Sequence, residues 1–316
     1  MLNIDPVTEA KNDAPPAVSV IIPFRNRGKT LSRTLESIYA DDSYDKKKIA
    51  LVFFDDHSTD LSPKILKEFI MQHGSLYSRV IQRRKDDASE ESIARARNEC
   101  LSLAKETAVN YVVSIDSDVE IPRGTIADLV ERLRKDNKIG MASIPYAYVE
   151  AGKKYASEVD INMGCTIMSK EFLDQVNWTI DDRFTNVDDL WLGAKAEKLG
   201  FKVVRLDNKR ANHLKEFVYG NHLKNRFLLL PRYHYLLMRE GLITRRLRRT
   251  YIYYSAYLGL SAISLLNSIT LILFVPLFGL GLWHYRSIGK FLLALPVGIA
   301  MTIGLIANIL RGFLAE

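Results

Sequence analysis

The stretch Tyr111-Val112-Val113-Ser114-Ile115-Asp116-Ser117-Asp118 joins a mostly apolar run directly to two carboxylates. Short runs rich in β-branched and aromatic residues are typical of strands. Two carboxylates two residues apart at a strand end can bind one hard divalent cation and leave positions for phosphate oxygens. An Asp-x-Asp sequence also occurs in ordinary solvated turns, so its meaning depends on the rest of the chain.

Similar runs and amphipathic stretches alternate on both sides of this segment. Further strands are predicted at residues 18–23, 49–55, 79–82, 138–144 and 202–206, and helices at 31–39, 61–71, 92–104 and 125–135. This alternation predicts an α/β fold with a mostly parallel sheet covered by helices on both faces. In such sheets, ligands bind at the carboxyl ends of the strands.

Polar clusters follow two other strands, and a third cluster opens a later helix. The first strand ends in Pro23-Phe24-Arg25-Asn26, and the second in Asp55-Asp56-His57-Ser58-Thr59-Asp60. Asp188-Asp189 opens a helix predicted to run to Gly200. Ser58 and Asp60 could equally cap the helix that follows them, because both residue types accept hydrogen bonds from helical N–H groups. Both interpretations stay open for these two residues.

The positive charge of the chain is confined to one segment. The chain carries 44 Lys and Arg against 37 Asp and Glu, a net charge of +7, but residues 205–249 alone hold 12 basic and 3 acidic residues. This segment adjoins apolar runs and lacks a recognisable nucleic-acid-binding module, so we expect no nucleic-acid partner. The two cysteines, Cys100 and Cys165, exclude a disulfide scaffold.

The last quarter of the chain predicts membrane spans. Residues 250–283 contain no charged side chain, and residues 291–310 form a second uncharged run. Because a spanning helix needs about 20 residues, we predict three spans, at about 250–266, 268–284 and 291–310. A buried helical pair of a soluble protein is the alternative. Arginines before the first span and basic residues in the loop before the third predict that the large N-terminal part is cytoplasmic.

These features predict four parts of an integral membrane protein. Residues 1–16 are a polar tail, 17–216 the α/β catalytic domain, 217–249 a basic amphipathic segment lying on the membrane, and 250–316 the transmembrane domain. For the third part, an ordinary surface helix packed on the sheet is the alternative.

Residues 18–213 resemble the family 2 glycosyltransferases, which have the GT-A fold, a Rossmann-like nucleotide-sugar transferase fold. Seven segments stand in the family's order, although His57 replaces a usual Gly, Cys100 another Gly and Asp188 a usual Glu. The matching segments are Val18-Ser19-Val20-Ile21-Ile22-Pro23, Asp55 to Asp60, Ala96-Arg97-Asn98, Asp116-Ser117-Asp118, Met163-Gly164-Cys165-Thr166, Asp188-Asp189 and Asn212-His213.

The resemblance implies roles for the residues in these motifs. Asp189 is implied as the general base of an inverting displacement, and Asp118 and His213 as ligands of Mn²⁺ or Mg²⁺. The sugar and acceptor loop is implied at Gly164, Cys165 and Asp188. The residues implied to bind the nucleotide are Pro23, Phe24, Arg25, Asp56, Arg97 and Asp116.

The membrane part predicts a lipid acceptor. This layout resembles polyprenyl (dolichyl) phosphate mannosyltransferases, with a reduced cellulose-synthase-like membrane part. We therefore expect transfer of a hexose, with mannose from GDP-mannose favoured and a UDP-sugar possible, to a polyprenyl phosphate. The side chains expected to bind the lipid phosphate and anionic lipids are Lys215, Lys224, Arg226 and Arg232.

Two alternatives remain from the sequence. A phosphate monoester is mostly ionised at neutral pH and needs no base. A carboxylate at Asp189 therefore also suits a hydroxyl acceptor on a lipid-linked glycan, as in N-glycan or envelope polysaccharide assembly. A catalytically dead subunit that only binds a sugar nucleotide is the second alternative.

Overall fold

The computed structural model describes residues 16–85, 92–150, 153–156, 161–185, 187–214, 229–264 and 272–315. The chain forms two compact units, Met1–Phe217 and Val218–Glu316. The first unit contains all the strands described below, and the second contains the apolar runs. The boundary lies one residue beyond position 216, where the catalytic domain is predicted to end.

Seven strands of the first unit form one sheet in the order β10-β6-β9-β4-β1-β2-β3. All of its neighbouring strands are parallel except those that pair with β9, so the predicted mostly parallel sheet is confirmed. The strands are β1 Val18–Phe24, β2 Ile49–Asp55, β3 Arg79–Arg84, β4 Tyr111–Ile115, β5 Val119–Glu120, β6 Ile139–Ser143, β7 Tyr146–Glu150, β8 Lys153–Ala156, β9 Cys165–Ser169, β10 Lys202–Arg205 and β11 Ala211–His213.

Strand β9 is the main departure from the predicted topology. It lies between β4 and β6 and runs antiparallel to both. All five of its residues are buried, as are those of β1 and β2. A five-residue strand without polar alternation carries no periodic signal in the sequence, which is why this strand was not predicted.

In the described residues of the first unit, six helices pack around these strands. Side-chain caps fix two of their starts, since Ser92 accepts a hydrogen bond from the Arg95 N–H and Ser169 accepts one from the Phe172 N–H. The helices are α1 Leu31–Ala40, α2 Ser62–His73, α3 Ile93–Lys105, α4 Thr125–Lys135, α5 Lys170–Gln175 and α6 Asp188–Lys198. The four helices predicted between the strands are confirmed, with ends within two residues.

A second, four-stranded sheet has the order β5-β11-β7-β8. In it, β11 pairs antiparallel with β5, so that His213 lies opposite Val119. The Leu214 N–H also donates to the Asp118 carbonyl oxygen at 2.8 Å. This pairing brings the end of the first unit back to the Asp-x-Asp segment.

The second unit contains four helices in its described residues: α7 Leu230–Arg239, α8 Arg245–Ser264, α9 Phe274–Tyr285 and α10 Ile288–Ala315. Helix α7 accommodates Pro231 in its first turn, where a missing N–H costs no helical hydrogen bond. Helices α8 and α10 approach closely at Gly298, where an added Cβ would meet the Tyr254 ring 2.1 Å away.

One helix among the described residues is long and apolar enough to cross a membrane. Its candidate span, Ile288–Gly312, has a mean hydropathy of 2.1 and includes the third predicted span. Helix α8 begins with four arginines in five residues, and α9 has 12 residues. Residues 265–271 lie outside the described residues, so the first two spans stay predictions.

Candidate active site

The carboxyl ends of β1, β2 and β4 open onto one pocket with a volume of about 400 Å³, within the range of small-molecule sites. The pocket lies inside the first unit. It brings together the predicted nucleotide and metal residues from segments almost 200 positions apart in the chain. Its lining includes Pro23, Phe24, Arg25, Asp56, Arg97, Asp116, Asp118 and His213.

The loops after β1 and β2 brace each other through side chains. The Asn26 N–H donates to the Ser58 hydroxyl at 3.0 Å, and the Asn26 amide oxygen accepts from the Thr59 N–H at 2.8 Å. Asp60 accepts hydrogen bonds from the Gly28 N–H at 2.8 Å and from the Ser62 N–H at 2.9 Å. Although burial opposes its ionisation, a hydrogen bond from the Ser62 hydroxyl at 2.6 Å, together with these two, lowers the pKa of Asp60. Asp60 thus bonds the first residue of α2, in line with the helix-capping interpretation, whereas Ser58 bonds the loop after β1 instead.

Asp56 is the acidic side chain of this region that lines the pocket. Its carboxylate is buried and lies 3.8 Å from an Arg25 nitrogen and 3.5 Å from the Lys85 Nζ. The neighbouring Asp55 is fully buried and accepts a hydrogen bond from the Ser58 N–H at 2.8 Å. The two adjacent aspartates thus have different roles, since Asp55 shapes the loop and Asp56 faces the pocket.

Asp116 lies against Gly164, a residue of the predicted sugar and acceptor loop. The Asp116 N–H donates to the Gly164 carbonyl oxygen at 3.1 Å. A Cβ at position 164 would lie 2.4 Å from a carboxylate oxygen of Asp116 and 1.9 Å from the hydroxyl oxygen of Tyr146. Only glycine therefore allows this approach.

Sequence reasoning missed Tyr146. Its hydroxyl donates toward Asp116 at 3.5 Å, and its ring meets His213 edge-on with 5.1 Å between centroids. Burial and the Asp116 carboxylate raise the pKa of Tyr146, so that its phenol stays protonated. A single tyrosine inside a strand carries no motif signal, and only the pairing of β7 with β11 places it here.

Cys165 requires a correction. It is predicted to belong to the sugar and acceptor loop, but it is the fully buried first residue of β9, opposite Ile115. Burial raises the pKa of its thiol to about 12. Cys100 is likewise buried in α3, and burial raises its pKa too.

Asp118 and His213 form the candidate metal pair. The Asp118 carboxylate lies 3.8 Å from the His213 Nε2 and 3.7 Å from the Arg27 Nε. Carboxylate oxygen and imidazole nitrogen both suit Mn²⁺. In the part of the chain that the structure describes, no three His, Cys, Asp or Glu side chains come together as a metal site. The pair would supply two of the ligands of such a cation.

Arg97 is buried beneath the pocket and connects two acidic residues. Its Nε donates to Asp188 at 2.7 Å, and its terminal nitrogens donate to Asp116 at 3.1 and 3.3 Å. Burial works against its charge, but Asp188 and Asp116 together raise the pKa of Arg97. Burial also raises the pKa of Asp116, and Arg97 opposes that shift.

Asp188 and Asp189 form the first turn of α6. Asp188 is buried against Arg97, whereas Asp189 is partly buried and accepts a hydrogen bond from the Leu190 N–H at 2.7 Å. Burial and the neighbouring Asp188 carboxylate raise the pKa of Asp189 to about 7. The Asp189 carboxyl therefore holds its proton more strongly than an exposed aspartate does.

The predicted lipid-phosphate residues are mostly outside the described part of the chain. Lys215, Lys224 and Arg226 lie in residues 215–228, which the structure does not describe. Arg232 is exposed in the first turn of α7, in the second unit. Their predicted role stays a prediction.

Two solved structures resemble this chain in fold. A mannosyltransferase from Pyrobaculum calidifontis, PcManGT, solved with GDP-Man and Mn²⁺, is 17% identical, with a TM-score of 0.64 over 96% of this chain and 90% of its own. TarS 1–349 from S. aureus, solved with UDP-GlcNAc, is 19% identical, with a TM-score of 0.54 over 70% of this chain and 64% of its own. These likenesses establish a GT-A-like α/β fold.

Sequence comparison identifies the family. No curated protein matches the chain significantly. The sequence profile described as glycosyl transferase family 2 matches residues 19–193, more than half of the chain, and this range holds the pocket residues except His213. The chain therefore belongs to glycosyl transferase family 2.

Proposed function

We propose that this chain is an inverting, metal-dependent mannosyltransferase that uses GDP-mannose and a lipid-linked acceptor. One observation carries the proposal: a single pocket joins Asp56, flanked by two cationic side chains, to the Asp118–His213 pair. The GDP-Man and Mn²⁺ in PcManGT support this donor and cation, and the UDP-GlcNAc in TarS leaves a UDP-sugar as the second choice.

Different residues of the pocket would contact different parts of the donor. Pro23, Phe24, Arg25 and Asp56 would hold the base and ribose, and Asp116 the ribose or sugar diphosphate. Asp118 and His213 would hold the divalent cation, Mn²⁺ or Mg²⁺. When bound, such a cation neutralises the charge that develops on the departing diphosphate.

Asp189 is the proposed general base. An acceptor oxygen attacks the anomeric carbon on the face opposite the diphosphate, the bond from that carbon to the diphosphate oxygen breaks, and the configuration inverts. The proton of an acceptor hydroxyl passes to an oxygen of Asp189. A base with a pKa near the operating pH is well suited to this transfer, and burial raises the pKa of Asp189 to about 7.

The raised pKa of Asp189 favours a hydroxyl acceptor, such as that of a lipid-linked glycan. A phosphate monoester has its second pKa near 6, so it is mostly ionised at pH 7 and gives up no proton on attack. A base tuned by burial would have no proton to remove from such an acceptor.

A polyprenyl phosphate is the second candidate acceptor. It is supported by the net positive segment 205–249 and by the exposed apolar side chains of α10, including Leu292, Leu293 and Ile303. These side chains suit a hydrocarbon environment. With basic residues flanking the apolar segments, the positive-inside rule supports a catalytic unit on the cytoplasmic face.

The Asp189→Asn variant tests the reaction and distinguishes the acceptors. With GDP-mannose, Mn²⁺ and a glycolipid acceptor, we expect kcat to fall by about 10²–10⁴-fold, the usual contribution of a general base. With a polyprenyl phosphate acceptor, kcat should fall by less than about tenfold, because no proton is removed. Glu197→Gln, the same loss of charge at an exposed carboxylate of α6, is the matched control.

The proposal has clear contrary outcomes. If the chain transferred sugar from UDP-sugars and not from GDP-mannose, the donor would be a UDP-sugar, the second choice above. If the wild-type chain, supplied with Mn²⁺ or Mg²⁺, transferred no sugar from either donor class to either lipid acceptor, the proposed function would be wrong.

A further inference from the structure

We propose that Arg97 and Asp188 form a positioning pair that couples occupancy of the donor pocket to the placement of the acceptor base. One guanidinium group holds Asp116 at the donor pocket and Asp188 at the start of α6. Asp189, the next residue, is the proposed base. This inference rests on the proposed function, in which Asp116 contacts the donor and Asp189 the acceptor.

Arg97 has little hydrogen-bonding capacity left for a ligand. A guanidinium carries five N–H donors. The Nε–H goes to Asp188, one terminal nitrogen donates to Ser114, Asp116 and the Met163 carbonyl oxygen at 2.7–3.5 Å, and the other donates to Asp116. At most one N–H therefore remains for a ligand. The side chain is 2% exposed, so Arg97 acts mainly through its two carboxylates.

The donor side of this connection is Asp116. It lines the pocket, and about a third of its side chain is exposed. One oxygen accepts from Arg97, and the other lies 3.5 Å from the Tyr146 hydroxyl. A donor that binds Asp116 would fix this carboxylate and, with it, the guanidinium.

The acceptor side is the first turn of α6. Asp188 is buried, and its 2.7 Å bond to Arg97 ties that turn to α3. The loop before α6 is tied to α3 as well, because the Asn98 amide exchanges hydrogen bonds of 2.7 and 2.8 Å with the Ile180 backbone. The loop and the first turn of α6 are therefore both hydrogen-bonded to α3. The bond between Arg97 and Asp188 fixes the position of Asp189, the next residue and the proposed base.

Electrostatics supports the same connection. Burial is the largest cause of the raised pKa of Asp189, and Asp188, Arg97 and Asp116 also act on it. Asp188 raises the pKa of Asp189 and Arg97 lowers it. Breaking the Arg97–Asp188 pair would therefore change both the position and the surroundings of the base.

Kinetics with substitutions at position 188 test the positioning role. Asp188→Asn removes the charge with little change of shape. We expect kcat to fall by about 10–100-fold, because a small displacement of a reacting group lowers the rate by this order. The Kd for GDP-mannose with Mn²⁺ should change by less than about threefold, because Asp188 does not line the pocket. Asp188→Glu, which keeps the charge, should recover part of the loss.

Asp41→Asn is the matched control for lost stability. Asp41 is also fully buried and accepts hydrogen bonds from the Gly124 and Ile126 N–H groups at 2.9 Å, at the start of α4. It should lower the melting temperature and leave kcat unchanged. A normal kcat in Asp188→Asn, or a donor Kd that rises as much as kcat falls, would overturn the positioning role.

Hydrogen exchange separates this inference from the proposed function. GDP-mannose with Mn²⁺ should slow amide exchange at residues 23–27 and 55–58, which reports donor binding, and at the first turn of α6, which reports the coupling. Asp188→Asn should keep the first effect and lose the second. Slowing at the strand ends without slowing in α6 of the wild type would overturn the coupling alone. No slowing at either place would overturn the GDP-mannose donor and the coupling with it.

Discussion

Two acidic clusters that look alike in the sequence have opposite uses in the structure. In the first, which follows β2, Asp55 and Asp60 direct their oxygens at backbone N–H groups, and Asp56 alone of the three lines the pocket. In the second, which follows β4, Asp116 and Asp118 both line the pocket and face cationic side chains or His213. Contact with a charged group does not separate the two uses, since the loop-shaping Asp55 also lies 3.5 Å from Arg84. An aspartate after a strand is available to a ligand when its carboxylate lines the pocket, as those of Asp56, Asp116 and Asp118 do.

Within the two clusters, the largest expected effect is at Asp118, in the second. Asp118→Asn should lower kcat for mannosyl transfer by about 10³-fold, since cation stabilisation of a leaving group is worth several kcal/mol. Steady-state transfer assays over a range of Mn²⁺ concentrations measure this loss. Asp136→Asn, which breaks the partly exposed pair with Lys202, is the control. Equal activity in both variants would remove Asp118 from the metal site.

The pH dependence of Asp189 should be the next largest effect. Because its pKa is raised to about 7, kcat/KM should fall about tenfold for each pH unit below 7 as the base becomes protonated. The same raised pKa means that the native state binds the extra proton, so the contribution of this group to stability decreases as pH rises from about 4 to 7. A profile of kcat/KM from pH 5 to 9 checks the first point. A flat profile with a hydroxyl acceptor would contradict the base assignment.

A smaller effect, on stability, is expected in the first cluster. Asp60→Ala removes the acceptor for the Gly28 and Ser62 N–H groups, which should lower the free energy of unfolding by about 1 kcal/mol. Chemical denaturation measures the loss, while kcat should change by less than about twofold because Asp60 does not line the pocket. A kcat loss as large as that of Asp118→Asn would erase the contrast between the clusters.

The smallest effect should come from His57. It holds a left-handed backbone conformation with φ of 61°, which disfavours residues with a side chain. His57→Gly should therefore raise the free energy of unfolding by about 0.5 kcal/mol, because the greater freedom of glycine in the unfolded chain offsets part of the gain. Denaturation curves at constant pH decide this. A loss of stability would show that the His57 ring contact with the Lys85 carbonyl, at 3.4 Å, outweighs the backbone cost.

The sequence predicts the parallel strands of the seven-stranded sheet but not its antiparallel strand, β9. Strands β2 and β4 and helix α4 have their predicted bounds, because hydrophobic period and caps are local signals. The position of β9 between β4 and β6 depends on long-range pairing, which no local pattern encodes. The sequence could therefore indicate a ligand site at the strand ends without revealing that an antiparallel strand carries the glycine loop to it.

For the site, the sequence predicts which residues converge but not what each one contacts. The predicted nucleotide and metal side chains line one pocket. The role of Tyr146 and the burial of Arg97 arise from tertiary contacts between distant segments, such as the 91-residue separation between Arg97 and Asp188. A motif can name Arg97 but cannot show that two carboxylates occupy most of its hydrogen bonds.

The burial of both native cysteines offers a practical route to these experiments. Cys100 and Cys165 are 0% exposed, and burial raises the pKa of each thiol. Thiolates are the reactive form, so maleimide reagents should leave the folded chain unmodified. A single cysteine introduced at an exposed position would then take up a fluorophore or spin label selectively, and the native sequence can serve as the unlabelled background without further substitution.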